Sequence, residues 1–279
     1  MKIIGVDLGG TNARAGLIED RILGNVVSTN LKVNGTEKEI CSQLYDLIDM
    51  FADQKIEGLG IGVPSVVDVK NGIVYDVQNI PSWKKVHLKK LLEDRYRFPV
   101  YVNNDANCFA VGEKHFGKGR GYKNIVGLII GTGMGAGLIL NDKLYEGTHC
   151  GAGEFGMVTY KNEIFEAYGS GQFFQRQYKT RGEILFQEAL NGNTQAITAY
   201  REFGEHIGRA IEMILFTIDP EIIILGGSVS KSFQLYRDSM WKVLQTFPYR
   251  NTRDDIKIEI SEIEHIAILG AAALCYEKP

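Results

Sequence analysis

Four short stretches of this chain carry polar or charged residues suited to chemistry, three of them beside glycines. Asp7-Leu8-Gly9-Gly10-Thr11-Asn12-Ala13-Arg14 sets a carboxylate at the end of an apolar run, beside a glycine turn. Gly9 and Gly10 expose backbone amides and Thr11 adds a hydroxyl; concave amide surfaces of this kind bind phosphate. Asp7 suits a hydrated Mg²⁺, a hard cation that keeps its waters and takes one or two carboxylates. A tight hairpin with Asp7 as a local cap is the other reading. Gly131-Thr132-Gly133-Met134-Gly135-Ala136-Gly137 carries glycine at alternate positions, which a strand interior tolerates poorly. It reads as a second phosphate cradle or as a hairpin packed on another backbone. No Gly-Lys-Ser/Thr follows, so it is not a Walker loop. Val102-Asn103-Asn104-Asp105-Ala106-Asn107 follows an apolar strand and precedes a helix. Capping explains one of these polar residues and not the whole run. Read functionally, Asp105 is a general base that takes a proton from a hydroxyl nucleophile; plain capping of the helix is the other reading. Leu225-Gly226-Gly227-Ser228 ends a strand and opens a helix, admitting a flat base or ribose close to the backbone, although an ordinary turn shares the pattern.

These segments need a scaffold of strands and helices. Apolar runs predict strands over 2–7, 13–18, 21–32, 58–63, 99–102, 124–130 and 221–225, with a further strand after the second glycine turn. Helical spacing, such as Ile40, Leu44, Leu47, Ile48 and Phe51 within 36–55, predicts helices there and over 88–96, 106–116, 166–178, 194–218 and 230–246. An Ala-rich helix closes the chain over 267–276. Strands and helices mixed in this order argue an α/β fold. The segments Gly10–Ile18 (GTNARAGLI) and Gly131–Ile139 (GTGMGAGLI) match at six of nine positions without a gap. That repeat suggests a duplicated domain with a ligand cleft between the halves. Clustered glycines at strand ends suggest close backbone approach to a ligand.

The chain has 279 residues, 31 Lys+Arg against 34 Asp+Glu and 44% hydrophobic residues, enough for a large core in one or two domains. It lacks the basic excess that a nucleic-acid backbone demands, and no apolar run reaches the length of a membrane span. The N-terminus is broken by glycine too early for a signal peptide. A cytoplasmic protein is therefore expected, with Cys41, Cys108, Cys150 and Cys275 reduced.

In combination and in order, these motifs resemble the ROK-family sugar kinases, within the wider actin, hexokinase and Hsp70-like ATPase group. The resemblance runs from the first strand to the last helix. It implies a duplicated ribonuclease H-like architecture of two α/β domains around a central cleft. The domains would be 1–107, with the helix 266–279 packing back on it, and 108–265. It also implies ATP-dependent phosphorylation of a hexose, usually at the 6-hydroxyl, with domain closure excluding water, and it makes a cytoplasmic homodimer the expected form. Asp105 takes the catalytic-base position. Asp7, Gly9, Gly10, Thr11, Asn12, Arg14, Gly131, Thr132, Gly133, Gly226, Gly227 and Ser228 match the nucleotide motifs, with Mg²⁺ held through water at Asp7. Asn104, Glu154 and Glu166 match sugar-hydroxyl ligands, and Ser65 and Asn79 lie in segments that line the same pocket.

Two departures bear on substrate. The family commonly has His where Met157 stands, followed by a Cys-rich zinc loop; residues 157–165 here carry neither His nor Cys, so no zinc site is expected. Ser65 replaces a frequent Gly on the sugar side. Glucose is the expected acceptor, with N-acetylmannosamine, fructose, allose or a glucoside as alternatives. A catalytically idle sugar-binding regulator is the competing reading. Family repressors carry a helix-turn-helix ahead of the first motif, which begins here at Asp7, so a repressor acting alone on DNA is not expected. A plain ATPase is disfavoured by the sugar-side segments.

Overall fold

A computed structural model describes residues 1–51, 55–77 and 79–277. They form two compact units, one within 1–121, 137–152 and 263–277, the other of 122–136 and 153–262. The first opens with β1 (Lys2–Leu8), β2 (Asn12–Glu19), β3 (Ile22–Asn30), α1 (Glu37–Asp49) and β4 (Gly58–Val63). Thr36 caps α1 through a reciprocal pair with Glu39, which satisfies donors that the helix leaves open. The expected continuation of α1 over 52–54 lies outside the described residues. A small antiparallel sheet that sequence patterning did not predict follows as β5 (Val67–Asp68), β6 (Ile73–Tyr75) and β7 (Lys85–Val86). Its two- and three-residue strands are too short to show periodicity. Next come α2 (Leu88–Tyr96), β8 (Val100–Asn104) and α3 (Asp105–Phe116).

The second unit begins with β9 (Ile125–Ile130). The following strand, β10 (Met134–Leu140), runs into the first unit, where β11 (Lys143–Leu144) pairs back on it. The second unit continues with β12 (Thr159–Tyr160), β13 (Glu163–Ile164), α4 (Phe165–Gly169), α5 (Gln172–Tyr178), α6 (Gly182–Leu190), α7 (Thr194–Thr217), β14 (Ile222–Gly226), α8 (Phe233–Leu244), α9 (Arg250–Asp255) and β15 (Lys257–Ile260). The chain then returns to the first unit as α10 (Ile266–Ala273). The two main sheets have the orders β3-β2-β1-β4-β8 and β11-β10-β9-β14-β15. Each is an antiparallel hairpin edge joined to two parallel strands, so the GTNARAGLI and GTGMGAGLI segments occupy the same place in like topologies.

Alternation along β1 explains how the first sheet buries both faces. Ile4, Val6 and Leu8 share one cluster with Ile40, Leu44 and Ile48 of α1, while Ile3 joins Ile268, Leu269 and Ala272 of α10, as a period of two requires. Gly5 and Gly60 let α10 lie on the second face: a Cβ at either would strike the carbonyl oxygen of Ile268 or Ala271. Gly270 makes the same allowance between α10 and the Cys108 carbonyl of α3, as Gly137 does for Ala106. Gly137 belongs to the segment read either as a phosphate cradle or as a hairpin packed on another backbone, and its close approach to Ala106 of α3 fits the second reading. The first unit also takes in α3 and the stretch 137–152, beyond the expected boundary at 107, since α3 is bound into the α10 stack. In the second unit α7 and α8 cross closely, with Gly204 and Gly208 against the Tyr236 and Met240 carbonyls. The core beneath holds Phe174, Phe203 and Tyr236, and β14 is buried along its length.

Candidate active site

In the first unit, register brings the motif residues together. Parallel pairing sets Asp7, Gly62 and Asn103 side by side near the carboxyl ends of β1, β4 and β8, and the β1–β2 hairpin adds Arg14 opposite Asp7. Open α/β sheets bind ligands just outside such strand ends. The Asp7 side chain keeps only 13% exposure and takes the Arg14 guanidinium at 2.5 Å. A Cβ on Gly62 would lie 3.0 Å from Cys108 Sγ and 3.7 Å from the Asp105 Cα, so this glycine lets the start of α3 settle on the sheet. Asn104 caps α3, its Oδ1 accepting from the Ala106 and Asn107 amides at 2.8 and 3.2 Å. Asp105 is the first helical residue, partly exposed, with Oδ1 also accepting from the Ala106 amide at 2.8 Å.

Around this row the other expected residues divide. Asn79 lies against Gly10, where any Cβ would meet its side-chain amide. Gly9, Gly10 and Thr11 form the turn between β1 and β2, and Thr11 and Asn12, the first residue of β2, are exposed. Gly9 does not turn its amide to an anion: its N–H donates to the Asn12 carbonyl at 2.8 Å and closes the turn. Ser65 donates its hydroxyl to the Tyr75 carbonyl, tying the chain after β4 to β6. Asn103 and Asn107, left without a role in the sequence, are 2% and 1% exposed. Their partners are remote in sequence, so no local pattern announces them.

In the second unit the glycine turn after β9 is held by the segment that breaks the expected helix over 166–178. That helix is two, α4 and α5, separated at Ser170–Gly171. The break puts the Gly171 amide on the Gly131 carbonyl at 2.8 Å and the Ser170 hydroxyl on the Thr132 carbonyl at 3.0 Å. The Gly131 amide is itself used within the turn, donating to Gly133 O at 3.0 Å. Glu166 accepts from the Met134 amide at 3.0 Å and from Gln172 Nε2 at 2.8 Å. Its Oε2 stands 2.6 Å from where a Gly133 Cβ would be, so a side chain there would have to push the Glu166 carboxylate aside. Glu154 keeps solvent contact; the protein packed around it and then the charge of Glu166 raise its carboxyl above the usual range. Met157 is 59% exposed.

Beside that turn lies a cavity of about 570 Å³. Gly131, Thr132 and Ser228 form one part of its lining, and Phe174, Phe186 and Tyr200 give it aromatic walls. Gly227 brings the chain past β9 at φ +85°, with its missing Cβ aimed at the Ile130 backbone, and Gly226 ends the buried β14. The aromatic walls and the helix α6, which carries Phe186, were missed in the sequence. Ile184, Leu185 and Ala189 were the available signal.

For a divalent cation, a cage made only of protein is absent: among the described residues no three His, Cys, Asp or Glu side chains converge on one point. One carboxylate with waters and phosphates suffices for Mg²⁺, and Asp7, at a strand end beside a glycine turn, fits that lesser demand. Among the described residues no helix is long and apolar enough to cross a membrane.

A family model described as "ROK family" matches residues 3–278. The chain is 29% identical to the glucokinase of Thermotoga maritima, over all of this chain and 98% of that protein. It is 26% identical to the xylose repressor of Caldicellulosiruptor bescii, over 98% of this chain and 77% of the repressor. Among solved structures, a ROK family glucokinase from Streptomyces griseus in complex with glucose and AMPPNP aligns with a TM-score of 0.82 at 26% identity. That alignment covers 98% of this chain and 99% of the other.

Proposed function

The chain belongs to the ROK family and has its two-domain actin-like ATPase fold, and on that footing we propose that it is an ATP-dependent hexose kinase, phosphorylating the 6-hydroxyl of glucose or a related hexose. The placement of Asp105 carries the reading: it opens α3 at the strand ends, in the first turn of a capped helix, with its Cα next to Gly62, the strand partner of both Asp7 and Asn103. There its carboxylate takes the proton of the sugar hydroxyl as that oxygen attacks the γ-phosphate and ADP leaves.

Asn104 and Glu154 orient the sugar hydroxyls, with Ser65 and Asn79 beside them. Glu166 contributes to the same task while bracing the Gly131–Gly133 turn; each carboxylate oxygen can accept more than one donor. The aromatic cavity of the second unit takes the adenosine, flanked by Gly226, Gly227 and Ser228. Thr11, Asn12, Arg14 and Thr132 are the phosphate-binding side chains, with hydroxyl, amide and guanidinium donors. Asp7 would hold a hydrated Mg²⁺, which supplies neutralising charge to the phosphates. Similarity to a glucokinase seen with glucose and AMPPNP supports both ligands.

The relationship to xylose repressors favours a second reading, a sugar-binding regulator without turnover. A coupled assay of ATP consumption over a dozen sugars separates the two. A kinase gives sugar-dependent ADP release, with sugar phosphate as product. Binding of a sugar with no turnover on any of them favours the regulator.

A further inference from the structure

Behind the first turn of α3 lies a chain of hydrogen bonds made of residues with no assigned role. Asn103 ends in three inward contacts at Oδ1: the Asn104 amide at 2.8 Å, Asn107 Nδ2 at 2.9 Å and the Cys150 thiol at 3.6 Å. Its Nδ2 donates to Glu146 Oε1 at 2.5 Å. Asn107 Nδ2 also reaches Cys150 Sγ at 3.6 Å. The loop after β11 therefore grips both residues that bracket Asp105 on the helix side and the strand side. Glu146 closes that loop as well, since its carbonyl accepts from the Ala152 amide at 3.2 Å.

An asparagine at 2% exposure cannot turn to water if its acceptor is lost, so removal of the Glu146 carboxylate leaves Asn103 Nδ2 unsatisfied. The amide plane of Asn103 would then be free to rotate away from the Asn104 amide and from Asn107. Both contacts fix the backbone on which Asp105 stands. Glu146 is partly buried, and burial raises its carboxyl while the Asn103 bond opposes that rise. On its other side it lines a cavity of about 520 Å³ in the same unit, with Asp68, Lys70, Thr148 and His149. Solvent therefore reaches the residue, and substitutions there are not forced into a closed core.

We propose that Glu146 is a positioning residue for the general base, setting the first turn of α3, and with it Asp105, through Asn103. This rests on the reading of Asp105 as the base. The contact depends on reach and on an acceptor oxygen, not on charge. Glu146→Gln keeps an acceptor at the same distance; Glu146→Asp keeps the charge but falls one methylene short; Glu146→Ala removes the group.

The test measures kcat, KM for ATP and for the sugar, and melting temperature on the full-length protein with its best sugar. Expected are a fall in kcat of about 10–100-fold for Ala and for Asp, the size usual when a supporting shell is lost. KM for ATP should stay within about twofold, and Gln should recover kcat to within about threefold. Asp serves as the second variant should Ala fail to fold, because it retains a polar side chain in a solvated loop. Equal damage from Gln and Ala overturns the proposal by pointing to charge. A kcat unchanged in Ala and Asp overturns it too, as does loss confined to melting temperature. If the wild type turns over and Asp105→Asn does not, such results sink the positioning role alone. A wild type silent with every sugar sinks both readings together.

Discussion

Asp105 stands in a polar run, Asn103–Asp105 and Asn107, and its first-turn position gives a direct test. Asp105→Asn removes the proton acceptor while leaving the size of the side chain and the Asn104 cap intact. General-base removal costs about 10²–10⁴-fold, so kcat should fall by that range. Nucleotide affinity, measured by titration calorimetry with a non-hydrolysable analogue, should change less than about threefold. At this scale the sequence was legible where a residue's placement depends on neighbours in the chain. Asp7 with Arg14 and Asn104 with Asp105 are such pairs. It was silent where a residue's meaning comes from far away. Asn103 and Asn107 are set by Glu146 and Cys150, more than forty positions on, and no spacing rule links them. Glu166 shows a third case: its presence was legible, yet its bonds to Met134 and Gln172 could not be read before the α4–α5 break was seen.

Single elements carry two further predictions. In the β12–β13 hairpin, Tyr160 stacks on Phe165 with ring centroids 4.1 Å apart, and its hydroxyl lies 3.1 Å from His206 Nδ1 on α7. His206 is 8% exposed; burial first, and then the Lys161 charge, lower its pKa from 6.5 to about 4. The native state thus holds His206 neutral while the unfolded chain protonates near 6.5. The stability this contributes is complete above 6.5 and lost as pH falls towards 4, by up to about 3 kcal/mol. His206→Gln should flatten that part of a melting-temperature profile between pH 7 and 4, and an unchanged slope would show another group to be responsible. For the α10 contact, Gly60→Ala should destabilise by about 1–3 kcal/mol in urea unfolding, because the added methyl meets the Ala271 backbone. Strand and helix existence was mostly legible, as in β4, α2 and α7. What periodicity could not supply was the break at Ser170–Gly171, where tertiary bonds to the Gly131–Gly133 turn override a continuous helical pattern.

At the scale of the whole molecule, the two five-stranded sheets have like strand orders, and the six-of-nine sequence match was the visible trace of it. Unit membership was harder to foresee than topology, because the first unit is assembled from three separate stretches of chain. Its last stretch is not ornamental. Ile268, Leu269 and Ala272 of α10 complete the cluster around Ile3 and Ile18. A chain stopped at Glu264 should therefore fail to give a folded first unit, read as loss of the cooperative melt and of soluble yield. A truncated protein that melts like the full chain would contradict this.

That assembly order also constrains biosynthesis. A ribosome releases β1, β2 and β4 long before it has made α10, so the glycine-lined face of the first sheet stays uncovered through most of translation. The nascent chain must wait, exposed and dependent on whatever shields it, until its final helix arrives to close the face that its first strands opened.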